Sequence, residues 1–182
     1  RNATVHVETA ALAVIAHDAS KAYLEALPGL TYHYEGFVND ENASVLAASP
    51  SISTGATVAS EAGVYPITVE GGEADNYHFT YQAAVLVVGA GGQSINFVSE
   101  LNATYGEEPL DPEGNATSGL SVSYASSNPA VVEVNGSELI IRGAGDAIVT
   151  ASQGGNDNFD PASDRNATVH VETAALAVIA HD

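Results

Sequence analysis

The hydrophobic residues of this chain come in short runs that alternate with polar ones, and this pattern restricts the fold more than any other feature. Leu30, Tyr32 and Tyr34 are interleaved with Thr31, His33 and Glu35. Tyr65, Ile67 and Val69 follow Gly63, and Tyr77, Phe79 and Tyr81 are interleaved with His78 and Thr80. Further short runs hold Val122 and Tyr124, Val131 to Val134, Leu139 to Ile141, Ala147 to Ala151, and Val169 with Val171. A period of two sends successive side chains to opposite faces of a strand, so each run has one apolar and one polar face. Gly71-Gly72, Gly89 to Gly92, Asn135-Gly136, Gly143 to Gly145 and Gly154-Gly155 punctuate the runs as turns. Many short strands at such spacing give sandwiches or small barrels, not βαβ units. The expected fold is all-β: two tandem small immunoglobulin-like β-sandwich modules, with a β-grasp-like form as an alternative for the first. Short helical turns are expected at Ser20–Leu27 and Asn42–Ala48.

A second feature is internal. Arg1–Asp18 and Arg165–Asp182 both read RNATVHVETAALAVIAHD, so the sequence repeats with a period of 164 residues. A fixed period marks an array, and one this long corresponds to one or two whole domains at roughly 100–200 residues each. Gly89-Ala90-Gly91-Gly92 separates two strand-rich halves, and one strand pattern gives way to another near Glu172-Thr173. The expected parts are a closing strand of a preceding repeat (1–8), a first domain (10–88), a second domain (91–171) and the opening strand of a following repeat (173–182). Strands left without neighbours expose unpaired edges. The expected partners are therefore neighbouring copies of the same repeat, joined by strand addition.

Composition narrows the function classes. The 182 residues carry 23 Asp and Glu against 4 Lys and Arg, a formal net charge of −19, and no Cys, Met or Trp. Without cysteine there is no disulfide framework, zinc-thiolate site or thiol chemistry. Nucleic acid and anionic lipid need basic patches, which this chain lacks. No charged segment followed by an apolar stretch marks a signal peptide, and no run of about 18 apolar residues marks a membrane span. Export signals and anchors are expected outside this segment.

Both halves resemble known repeats. Ala13–Tyr23 (AVIAHDASKAY), Leu30–Leu46 (LTYHYEGFVNDENASVL) and Gly63–Tyr81 (GVYPITVEGGEADNYHFTY) resemble the MBG domain of very large bacterial surface adhesins. Where that family has a Tyr-Gly-Asp turn, this chain has Tyr23-Leu24-Glu25. Gln93–Phe97, Thr104–Leu110, Ser118–Gly136 and Gly143–Phe159 resemble an immunoglobulin-like bacterial repeat. The resemblance implies an extracellular, cell-surface repeat, a structural spacer in a filament or adhesin stalk, and no catalytic residue. The alternative is a module that itself binds a glycan or a cell.

Candidate sites are few. Six N-x-S/T sequons, at Asn2, Asn42, Asn102, Asn115, Asn135 and Asn166, point to N-glycosylation of an exported chain. The competing explanation is that Asn and Thr crowd turns and strands. Asp157, Asp160 and Asp164 are candidate calcium ligands at a module junction, since calcium takes six to eight oxygens. An EF-hand is excluded, because Pro161 stands where its glycine belongs and no glutamate closes the loop; a solvated acidic face is the other reading. His6, His17, His33 and His78 lack zinc-ligand spacing and read as surface positions. The glycine-rich stretches lack a following helix and lysine, and there is no G-x-S-x-G elbow. No cofactor and no enzymatic activity are expected. Tyr32, Tyr65, Tyr77, Tyr81 and Tyr124 are expected to fill cores, where large rings bury most area. Lys21, the only lysine, is the only residue able to form a lysine–asparagine isopeptide link.

Overall fold

Residues 1–176 are described by the computed structural model, and among them all regular structure is β apart from one three-residue 3-10 turn. The chain divides into two units, Arg1–Gly91 and Gly92–Asp182.

The first unit contains β1 (Ala10–Ala16), β2 (Ala19–Ala22), β3 (Tyr32–Glu35), β4 (Ser51–Thr54), β5 (Gly63–Glu70), β6 (Tyr77–Gln82) and β7 (Ala84–Gly89). They form two sheets, ordered β3-β1-β6 and β2-β7-β5-β4. The core draws on both: Val14 and Ala16 from one sheet meet Ile67, Val69, Leu86 and Val88 from the other. Alternation explains the choice of residues, since in β5 Ile67 and Val69 are buried while Val64, Pro66 and Thr68 are exposed. Each buried Val, Leu or Ile contributes about 1.5–3 kcal/mol, so these side chains drive the two sheets together.

Three expectations need correcting here. Ser20–Leu27 is not helical: Ala19–Ala22 runs as β2 beside β7, and Leu24 turns the chain with a φ of 63°. At Asn42–Ala48 only Ala43–Val45 is helical, a 3-10 turn capped by Asn42, whose side chain accepts from the Ser44 amide at 3.0 Å. No residue of this turn is buried, so it cannot cross a sheet as a β-grasp helix must; the first unit is a sandwich. Tyr81 is a third correction, being 45% exposed with its hydroxyl donating to the Gly71 carbonyl at 2.6 Å.

The second unit contains β8 (Ile95–Asn96), β9 (Glu100–Thr104), β10 (Asn115–Ala116), β11 (Ser123–Ser126), β12 (Val132–Asn135), β13 (Glu138–Ile141), β14 (Gly145–Ser152) and β15 (Arg165–Glu172). Its main sheet is ordered β11-β14-β15-β9, accompanied by the pairs β8-β10 and β12-β13. Val132 and Leu139 from the hairpin pack with Ala147, Val149, Val169 and Val171 from the sheet. The hairpin turns through Gly136-Ser137, with Asn135 opposite Glu138 and Gly136 at a φ of 64°, as a tight two-residue turn requires.

Arg1–Thr9 forms no strand, and its Val5 and Val7 are exposed. Its first eight residues, Arg1–Glu8, recur as Arg165–Glu172, which is β15. Residues 173–176 have no regular structure, and the remainder of the expected opening strand, 177–182, lies outside the described residues.

Candidate functional site

In both units, strands near the start and end of the fold lie parallel and hydrogen-bonded. In the first, β1 pairs with β6 in one sheet and β2 with β7 in the other, both parallel. Each pair of strands crosses between sheets together, at His17-Asp18 and at Ala83. The register is unchanged by the crossing: Ala10 faces Tyr77 and Ile15 faces Gln82 before it, Ala19 faces Leu86 and Ala22 faces Gly89 after it. Asp18 bridges the break, its carboxylate accepting from the Val85 amide at 2.8 Å. The ladder thus extends from Ala10 N–H on the Asn76 carbonyl (2.9 Å) to Tyr23 N–H on the Gly89 carbonyl (2.8 Å). In the second unit β9 runs parallel to β15, with Val169 facing Leu101 and Val171 facing Ala103. This ladder is extended by Thr168 N–H on the Ser99 carbonyl (3.0 Å) and Tyr105 N–H on the Glu172 carbonyl (2.8 Å).

Lys21 locks the turn that follows β2. It is 6% exposed, and its ammonium donates to the carbonyls of Ala22 (3.1 Å), Glu25 (3.0 Å) and Val58 (3.0 Å). Three donors meet three acceptors, which is how a lone buried cation is tolerated. Its partners are main-chain carbonyls; this is a brace between two loops.

Tyrosine hydroxyls tie loops to the first core. Tyr77 donates to the Glu41 carboxylate and accepts from the Val38 amide at 3.1 Å. That bond to Glu41, with burial, pushes the Tyr77 phenol upward. Burial and the neighbouring Tyr32 push Tyr34 up to about 12. In the second unit burial raises Tyr124, whose hydroxyl donates to the Gly114 carbonyl at 3.1 Å.

One cluster escaped the sequence reading. His17 and His33 stack with centroids 4.9 Å apart, and Nε2 of His17 lies 2.7 Å from Nδ1 of His33. Thr31 Oγ1 lies 3.0 Å from His17 Nδ1, and Glu35 lies 3.5 Å from His33 Nε2. The signal was the antiparallel register of β1 on β3, which puts Ile15 opposite His33 and Ala16 opposite Tyr32, so that His17, whose amide donates to the Thr31 carbonyl, stands diagonal to His33. Hydrogen bonding between the rings needs one of them neutral at the accepting nitrogen.

The remaining candidates are dispersed. Asn2, Asn42, Asn102, Asn115, Asn135 and Asn166 are all exposed, with Asn42 acting as a cap, Asn102 on β9, Asn115 on β10, Asn135 at the hairpin and Asn166 on β15. Asp157, Asp160 and Asp164 are exposed along the loop between β14 and β15. Among the described residues, no three His, Asp or Glu side chains converge as a metal site. Nor does any helix there have the length and apolarity to cross a membrane.

Comparison with known proteins gives one family match and solved structures of low sequence identity. Residues 12–87 match the family model of the MBG domain, YGX type. Drosophila N-cadherin EC1-3 is 9% identical with a TM-score of 0.35, the match covering 88% of this chain and 68% of that one. Drosophila N-cadherin EC1-4 is 8% identical with a TM-score of 0.30, covering 93% of this chain and 51% of that one. No curated protein matches the sequence. The segment matched by the MBG domain model of the YGX type, residues 12–87, is the one that carries the paired β1–β2 and β6–β7 strands.

Proposed function

We propose that the chain is a structural spacer repeat of a long extracellular surface filament or adhesin stalk, and that it carries tension along the filament. The observation behind this is the parallel pairing of early and late strands in both units. In a parallel pair, the entry to one strand and the exit from the other lie at opposite ends. Pulling there slides the strands past each other and strains all their hydrogen bonds together. An antiparallel pair gripped at one end peels open one bond at a time. The repeat supports the same reading, since length then scales with copy number while each bead folds from its own contacts. The six exposed sequon asparagines suit an exported chain bearing N-linked glycans.

The test is single-molecule stretching of the second unit in two directions. Handles at Gln93 and Glu172 shear β9 against β15, whereas handles at Ala144 and Glu172 peel β14 from β15, because Gly145 faces Val171 at one end of that antiparallel pair. The first geometry is expected to resist a clearly higher force; the chain between its handles extends to roughly 280 Å, and that between the second pair to roughly 100 Å, at about 3.5 Å per residue. Equal forces in the two directions refute the tension reading. Saturable binding of a glycan by the chain favours the adhesion module instead.

A further inference from the structure

We propose that His17 and His33 form a two-histidine site for a divalent transition-metal ion, of the zinc, nickel or copper(II) kind, which clamps the edge strand β3 to β1. Imidazole is a ligand that these ions favour. Nε2 of His17 and Nδ1 of His33 face each other at 2.7 Å. The outer nitrogens are each met by an oxygen: Thr31 Oγ1 lies 3.0 Å from His17 Nδ1, and the Glu35 carboxylate 3.5 Å from His33 Nε2. Metal-binding histidines share this arrangement, with one nitrogen on the ion and the other held by an acceptor that fixes the tautomer. All four residues lie between positions 17 and 35, within the first unit.

The Glu35 carboxylate favours the proton of His33 on Nε2, which leaves Nδ1 a lone pair. Without metal, His17 donates from Nε2 to that lone pair. With metal, the His17 proton moves to Nδ1, where Thr31 Oγ1 accepts it, and both inner nitrogens bind the ion. No proton is gained or lost. Two bonds of about 2.0–2.1 Å, at right or tetrahedral angles, hold their nitrogens about 2.8–3.4 Å apart, so the rings part by a few tenths of an ångström. Both can give way, since His17 is exposed and the His33 side chain is 45% exposed. That exposure also leaves the other coordination positions to water, so no third protein side chain is needed. The excess of acidic residues raises the cation concentration at the surface. β3 is the outermost strand of its sheet, and the two histidines, 16 residues apart, meet only when it is paired with β1. The ion therefore binds the folded unit and stabilises it. None of this depends on the tension reading, because the site is read by stability and not by force.

The test uses the full chain, which has no cysteine or methionine to compete for these ions. Zinc(II), nickel(II) or copper(II) is expected to raise the urea midpoint of the first unit, and EDTA to reverse the rise. Magnesium and calcium, which take oxygen ligands, are expected to leave it unchanged. His17→Ala and His33→Ala are each expected to abolish the rise, whereas His78→Ala, on β6 and outside the pair, keeps it. Glu35→Gln is expected to bind about tenfold more weakly, having lost the carboxylate that orients His33. Each shift is read against the same variant without metal, so a variant that is merely less stable still reports. If an alanine variant does not fold, His17→Gln and His33→Gln repeat the test with a polar side chain in place. No rise in the native chain, or a rise that survives in both histidine variants, overturns the proposal.

Discussion

Leu24 sits at a φ of 63°, in the left-handed region that costs a non-glycine residue about 1–2 kcal/mol. It stands where the resembling family places glycine, and its side chain is half exposed, so little burial opposes a change. Leu24→Gly is expected to stabilise the first unit by about 1 kcal/mol, part of the relieved strain being offset by the freer unfolded chain. A rise in the urea midpoint of that unit checks it. The tyrosines give a second expectation. Tyr34, Tyr77 and Tyr124 all hold their protons more tightly in the folded state than in the unfolded chain, where phenols ionise near pH 10. Between there and about pH 12 the folded state binds more protons than the unfolded one, so stability falls as pH rises. Below that range their contribution is fully present. Urea midpoints are expected to be level from neutral pH to about 9 and to drop by about 11, with Tyr34→Phe reducing the drop.

At the scale of strands, the crossing of β1–β2 and β6–β7 between sheets depends on Asp18, which supplies an acceptor where the backbone ladder breaks. Asp18→Ala leaves the Val85 amide without it and is expected to cost about 1–2 kcal/mol, measured by denaturation. Asp18→Asn keeps a side-chain oxygen and is expected to cost less. The same crossing shows what the sequence discloses and what it hides. Alternation exposes β5 plainly, because Ile67 and Val69 fill one face while Val64 and Thr68 stay wet. It fails at β1–β2, where burial moves from the even positions Leu12, Val14 and Ala16 to the odd position Lys21 as the strand changes sheets. A broken period followed by Lys, Ala, Leu and Glu imitates a helical turn, and tertiary pairing with β7 overrides that local preference. The pairing of early with late strands leaves no local mark, since each partner lies dozens of residues away. The His17–His33 pair was hidden for the same reason: only the β1–β3 register brings the rings together.

At the scale of the whole chain, the two units solve one problem twice, placing the hydrogen bonds between early and late strands in parallel ladders while separate cores hold each sandwich closed. The brace at Lys21 has a consequence for resistance to proteases. Trypsin-like proteases cut after lysine or arginine, and the single ε-amine is sequestered among three carbonyls. The exposed cleavage positions within the folded units are then Arg142, engaged with Glu133 at 2.6 Å, and Arg165, at the first rung of β15. Limited digestion of the native chain is expected to leave the bond after Lys21 intact until the first unit is unfolded by urea; early scission there would show that the brace opens in the native state. A filament of such beads would offer secreted digestive enzymes, and reagents that seek primary amines, scarcely anything to grip.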